Sequence, residues 1–111
     1  MPLTFLPARF HGLTPFCVYQ GNWSCAVRDF EREILPMCQD QGMGIAPFGT
    51  LGQGLLKKPE EYDDPNREGR KVVAKQPEKY IQIAKKLDEI AHRKNTSVSN
   101  VALAYILHKA P

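Results

Sequence analysis

Residues 16–48 read FCVYQGNWSCAVRDFEREILPMCQDQGMGIAPF, and the interpretation of this stretch decides the fold. Phe16–Gln20 is short, aromatic and β-branched, and lies between Pro15 and Gly21. That pattern predicts a strand bounded by turn signals. It is apolar nearly throughout, as expected of a strand buried on both faces. Asp29–Gln41 places Phe30, Ile34, Leu35, Met37 and Cys38 at helical spacings of three and four. Pro36 predicts either a kink there or a helix whose regular part begins near the proline. Gly42 and Gly44 end the helix, and Gly44–Phe48 gives a second short strand. Strand, helix and strand make a βαβ unit, with parallel strands and a right-handed crossover.

Further along, residues 52–76 contain Gly, Pro, Asp, Asn and Lys without apolar periodicity. They are expected to form a long loop without secondary structure, of the kind that serves as a lid or mobile segment. Helical periodicity returns from Pro77, with Tyr80, Ile83, Ala84, Leu87, Ile90 and Ala91 on one face. Gln76 or Pro77 opens this helix and Lys94-Asn95 closes it. Ser97 is the expected N-cap of a further helix, buried along Val98, Val101, Ala102, Tyr105 and Ile106. Two parallel strands and three helices cannot cover both faces of a sheet. The chain therefore reads as a piece of a larger α/β domain, either a (β/α)8 barrel or an open doubly wound sheet.

Composition narrows the function classes. A chain of 111 residues holds one domain at most. Its 42% hydrophobic and 24% charged residues suit a soluble globular protein. A net charge of +3 is too small and too dispersed to indicate nucleic acid. The basic pairs Lys57-Lys58 and Arg70-Lys71 lie among Glu60, Glu61, Asp63, Asp64 and Glu68, which reads as a solvated loop. Cys17, Cys25 and Cys38 show neither disulfide nor zinc spacing, and suit a reducing compartment. The N-terminus lacks the basic region of a signal peptide, and no apolar run approaches the roughly 18 residues of a membrane span. The expected location is the cytoplasm, with no membrane partner.

The segment IAPFGTLGQGLL, residues 45–56, carries Gly52 and Gly54 just beyond the second strand. A dinucleotide fingerprint would need a third glycine at position 57, which is Lys57. Taken singly, Gly52 and Gly54 read as a turn, Gln20 as a strand-end cap, and Phe48 and Trp23 as core.

Together, VYQGNWS (18–24), EREILPMCQDQGMGIAPFGTLGQGLL (31–56) and VALAYILH (101–108) are more specific. From about residue 8 to residue 111 the chain resembles the C-terminal part of aldo-keto reductases. The likeness is to the fungal aryl-alcohol dehydrogenase group, which includes norsolorinic acid reductase-like proteins. Residues 1–7 have no match. The resemblance implies a partial (β/α)8 TIM barrel of aldo-keto reductase type: two parallel strands, the sixth and seventh, plus three helices. Gln20 would then bond the nicotinamide carboxamide and Phe48 would stack on the nicotinamide ring. Gly49, Thr50, Leu51, Gly52, Gln53 and Gly54 would lie along the pyrophosphate and ribose. The implied cofactor is NADP, and the substrate of the full-length family is a small aromatic aldehyde or alcohol. The chemistry suits the residues: an amide both donates and accepts, flat rings stack, and glycine lets backbone N–H groups approach a phosphate.

The family's catalytic aspartate, tyrosine, lysine and histidine lie near its second to fourth strands, and no segment here corresponds to them. Tyr19, Tyr62, Tyr80 and Tyr105 and His11, His92 and His108 are expected to be structural or exposed, so no catalytic residue and no metal ligand is assigned. A barrel takes about 250 residues. The expectation is a truncated relative of an NADP-dependent aryl-alcohol dehydrogenase, inactive alone and marginally stable, with open strand edges through which it could self-associate. The alternatives are a complementing subunit of a split reductase and a non-catalytic interaction module.

Overall fold

A computed structural model describes residues 7–66 and 75–111. Residues 1–6, together with Glu68 and the basic pair Arg70-Lys71, lie outside the described residues. Strands β1 (Val18–Asn22) and β2 (Gly44–Phe48) form a parallel two-stranded sheet. Val18 is in register with Gly44, Gln20 with Ala46 and Asn22 with Phe48. The crossover between them contains a 3-10 turn, Asp29–Glu31, and helix α1, Ile34–Gln41. The βαβ unit expected from the sequence is present.

Two details of the first strand differ from expectation. The strand runs Val18–Asn22 rather than Phe16–Gln20, and Gly21 lies inside it. Gly21 is not a turn residue: a Cβ there would lie 2.7 Å from Cε2 of Phe30, so its bare backbone lets the Phe30 ring lie on the strand. Nor are both faces buried. Val18, Gln20 and Asn22 are exposed while Tyr19 and Gly21 are half-buried, and β2 alternates in the same way. Period-two geometry sends alternate side chains to opposite faces, and only one face has helices against it.

Pro36 is the third residue of α1. Its missing N–H falls among the first-turn donors that have no intrahelical partner, so the helix starts just before the proline rather than kinking at it. Gly42, at φ 66°, ends α1, and the Met43 N–H donates to the Cys38 carbonyl at 2.8 Å. Cys38 and Met43 are buried against Tyr19, Ile34, Met37 and Ile45. Beside them Trp23 is fully buried, with its ring stacked on Phe30 at 5.3 Å between centroids, and both pack with Ile106.

The segment expected to be a structureless loop is partly ordered. It contains a tight turn at Gly52–Gly54 and a one-turn helix, α2 (Pro59–Tyr62). Leu56 and Tyr62 are buried, and Lys58 pairs with Asp88 at 3.6 Å. Lys57 and Lys58 are half-buried, so this basic pair is not a solvated face. Isolated anchors such as Leu56 and Tyr62 create no periodicity, which is why the pattern hid them. Helices α3 (Glu78–Lys94) and α4 (Val98–Lys109) complete the chain. Asn95, at φ 52°, closes α3, and Ser97 Oγ accepts the Asn100 N–H at 3.2 Å to cap α4. Leu87, Val98, Ala102, Ala26 and Leu56 form the core beneath them. The radius of gyration is 17.4 Å, above the roughly 13 Å of a compact chain of this length. No helix of the described residues is long and apolar enough to cross a membrane.

Candidate functional site

Because β1 and β2 are parallel, their C-terminal ends emerge side by side. The Trp23 N–H donates to the Phe48 carbonyl at 3.1 Å, which extends the pairing into the loops. Gln20 and Phe48 both lie on the open face of the sheet, two register positions apart: Gln20 is level with Ala46, and Phe48 with Asn22. Phe48 is 48% exposed, so its ring is a half-open platform rather than core. The Gln20 side chain is exposed and makes no hydrogen bond among the described residues. The structure thus brings together the two residues singled out at the strand ends.

The segment after Phe48 turns immediately. Gly49 passes so close to Asn22 that a Cβ on it would sit 2.6 Å from Asn22 Oδ1. Gly52, Gln53 and Gly54 all have positive φ, of 67°, 56° and 91°. Gln53 is the unusual member, since a side chain at positive φ is disfavoured. Gly52 is buried, and a Cβ there would lie 3.0 Å from Leu56 Cγ and 3.1 Å from Tyr80 Cε1. Thr50 is half-buried. Leu51 packs against the core around Leu56 and Leu87, so its side chain anchors the loop and only its backbone is free to meet a ligand. A small cavity of about 90 Å³ lies between Asn22, Ser24, Gly49, Gly52, Gln53 and Tyr80.

Sequence reasoning missed Asn22, Ser24 and Tyr80 at this cavity. Asn22 follows Gln20 by two positions, and strand alternation alone puts it on the same face. Tyr80 was assigned to a helix stripe, and nothing local reveals that it reaches Gly52. Ser24 Oγ accepts the N–H groups of Ala26 and Val27, each at 3.1 Å, and so sets the turn after β1. Trp23 is core, as expected.

The strongest electrostatic feature lies on the packed side of the sheet. The Glu31 carboxylate accepts from Tyr105 Oη at 2.7 Å, from Arg28 Nε and Nη2 at 3.0 and 3.1 Å, and from Trp23 Nε1 at 3.3 Å. The Arg28 hydrogen bonds, joined by those from Tyr105 and Trp23, hold the Glu31 carboxyl down at about 2, against an ordinary 4.5. Burial and the Glu31 carboxylate push the Tyr105 phenol up to about 12. Burial also raises the Cys25 thiol. His11, His92 and His108 are exposed. Among the described residues, no group of three or more His, Cys, Asp or Glu side chains could hold a metal ion.

The chemical capacity of the site is therefore a flat ring, a free carboxamide and a backbone cradle at the ends of two parallel strands. Residues 7–111 match the Aldo/keto reductase family, and the chain belongs to that family. It is 55% identical over 104 residues to a norsolorinic acid reductase of Aspergillus flavus, covering 94% of this chain and 26% of the relative. It is 47% identical over 108 residues to an aryl-alcohol dehydrogenase of Pestalotiopsis microspora, covering 94% of this chain and 27% of the relative. The chain thus spans about a quarter of the length of these curated relatives. A glycerol dehydrogenase of Gluconobacter oxydans superposes with a TM-score of 0.70 at 22% identity, over 92% of this chain and 33% of that one. The fold is accordingly part of an aldo-keto reductase (β/α)8 barrel.

Proposed function

We propose that this aldo/keto reductase chain supplies the nicotinamide-facing wall of an NADP-dependent oxidoreductase of aryl-alcohol dehydrogenase type. In this reading β1 and β2 are the sixth and seventh strands of the barrel. The observation that carries it is the shared face: Gln20 and Phe48 stand together on the uncovered side of the sheet, and the glycine loop leaves directly from Phe48. When bound, the dinucleotide supplies or takes up the hydride exchanged with the carbonyl carbon of an aromatic aldehyde or alcohol. Phe48 provides a stacking surface for a planar ring. The Gln20 amide can donate to and accept from a carboxamide at once. Backbone N–H groups of the 49–54 segment would meet the pyrophosphate, that of Gly52 excepted because it donates to the Gly49 carbonyl at 2.9 Å. NADP rather than NAD is carried over from the family resemblance, and the aromatic substrate from the aryl-alcohol dehydrogenases among the relatives. A cytoplasmic location belongs to the same proposal, and the free cysteines Cys17, Cys25 and Cys38 suit a reducing compartment.

No residue of this chain is assigned the proton-transfer role. Tyr62 is buried in the loop segment and Tyr105 is committed to Glu31. The 111-residue chain by itself is expected to bind NADPH weakly and to reduce nothing. Titration of NADPH, followed by nicotinamide fluorescence, tests the first part; Gln20→Ala and Phe48→Ala should each weaken binding. Equal binding by both variants would sink the cradle assignment. Oxidation of NADPH by an aromatic aldehyde in the presence of this chain alone would overturn the expected inactivity.

The open face also supports a second reading, in which a complementary chain covers the sheet. Val18 at one end of the open face is 57% exposed and Phe48 at the other end 48%, and outward apolar residues on a sheet face suit a contact surface. Co-expression with a fragment carrying the first five strands of a relative should then yield turnover. Continued inactivity of a soluble complex would count against that reading.

A further inference from the structure

The glycine loop is braced from behind by two side chains at the start of α3. Tyr80 stands against Gly52, as described. Gln76, two residues before α3 begins, is only 5% exposed. Its Nε2 donates to the carbonyl of Leu55 at 2.8 Å and to the carbonyl of Lys57 at 2.8 Å. These two carbonyls follow directly on the Gly52–Gly54 turn.

The chemistry also fixes which way the amide points. Only the NH2 group can serve two carbonyls at once, and rotating the amide would turn Oε1 against both of them. In the observed orientation Oε1 is buried without a donor among the described residues. A buried amide that commits both protons to the backbone of a loop 19 and 21 residues away holds that loop to one path.

We infer that Gln76 is a positioning residue for the candidate cofactor site. It holds the backbone at Leu55 and Lys57, directly after the Gly52–Gly54 turn, so that the loop is formed before a ligand arrives and its ordering is not charged against binding. The clamp rests on the geometry alone, and its link to a dinucleotide rests on the function proposed above.

The test uses the 111-residue chain as wild type, Gln76→Leu and Gln76→Asn. The leucine removes both donors at similar size, while asparagine keeps an amide but shortens its reach by one methylene. Amide hydrogen exchange is read at Gly52, Leu55 and Leu56, whose N–H groups close the turn onto Gly49, Gly52 and Leu51. NADPH binding is titrated on the same samples, and Glu31→Gln serves as a variant that loosens α4 without touching the loop. Loss of the clamp should speed exchange at the three loop amides by about tenfold relative to α4, the factor set by roughly one hydrogen bond. NADPH binding should weaken by a similar factor, whereas Glu31→Gln should accelerate α4 instead.

Loop amides that exchange at wild-type rates in both Gln76 variants would overturn the inference. So would loop exchange rising only in step with the whole chain, or loop amides already unprotected in the wild type. If NADPH binds and both Gln76 variants bind it equally, the positioning role fails while the cofactor reading stands. If the wild type binds no NADPH but the loop amides still respond to Gln76, the clamp is supported and the cofactor reading fails.

Discussion

The two faces of one strand differ more than any two elements of the molecule. On the packed side of β1, Tyr19 meets Phe30 edge-on at 5.6 Å, Gly21 admits the Phe30 ring, and the strand runs into the fully buried Trp23. On the other side, Val18, Gln20 and Asn22 stand exposed opposite Gly44, Ala46 and Phe48. The packed side is satisfied within the chain, down to a carboxylate with four hydrogen bonds from three residues. The open side offers an exposed amide and a half-exposed ring, next to a glycine loop that Tyr80 and Gln76 brace from behind. Stability and recognition are thus separated by the pleat of five residues, and substitutions on alternate positions should separate them experimentally.

The largest effect is expected at Trp23. Removing a fully buried indole costs about 3–5 kcal/mol, and Trp23→Ala also abolishes the stack on Phe30 and the donor to Glu31. In urea titrations followed by far-ultraviolet circular dichroism, this variant should show no folded baseline. A transition close to that of the wild type would mean that the packed side is not the stabilising side. Gly21→Val comes next: a Cβ 2.7 Å from the Phe30 ring must displace it, at a cost of about 1–3 kcal/mol for overpacking. The same Val substitution at exposed Gln20 should leave the urea midpoint almost unmoved. Equal losses at positions 20 and 21 would erase the contrast between the faces.

Those two positions also show what could be read from the sequence. The order of elements, the cap at Ser97, the buried stripe of α3 and, as one of two alternatives, a helix beginning near Pro36 follow from local rules and were legible. Gly21 was misread because a glycine after a short apolar run signals a turn and a close approach equally well. The open face was hidden because Val18 and Phe48 are apolar, which made the strands look buried on both sides. Gln20, Phe48 and the glycine loop were legible as candidates only through their combination, since each alone reads as a cap, a core ring or a turn. The bond from Tyr105 to Glu31 spans 74 positions, and the clamp from Gln76 spans 21. No periodicity or short motif encodes partners that far apart; they emerge only when α3 and α4 dock.

A smaller effect, with a distinctive pH signature, is expected at Glu31. Its folded carboxyl titrates at about 2 against an ordinary 4.5, so the unfolded chain takes up the proton first as pH falls. The stabilisation from Glu31 is therefore complete above pH 4.5 and is lost as pH falls through about 2. Glu31→Gln should cost about 1–2 kcal/mol at pH 7, and should flatten the acid limb of stability against pH. At the opposite end, Tyr105 titrates at about 12 against an ordinary 10. Its contribution is complete below pH 10 and is lost as pH rises through about 12, and Tyr105→Phe should remove that limb. An acid limb that survives in Glu31→Gln would assign it to another carboxylate.

A small stability effect, under about 1 kcal/mol, is expected for Phe48→Ala, and it bears most directly on function. A ring 48% exposed on an uncovered face has little packing to lose. If it serves as a platform for a planar ligand, truncation should spare the urea midpoint and weaken NADPH binding. A large drop in the midpoint would place Phe48 with Trp23 as a stabilising residue, and its exposure would then mark a surface that another part of a barrel covers. A midpoint and a binding constant that both stay put would leave the ring without either role, and the shared face of Gln20 and Phe48 would be a consequence of strand register alone. Measuring both quantities on one variant decides which property of the open face matters, because neither quantity separately distinguishes a platform from a docking surface.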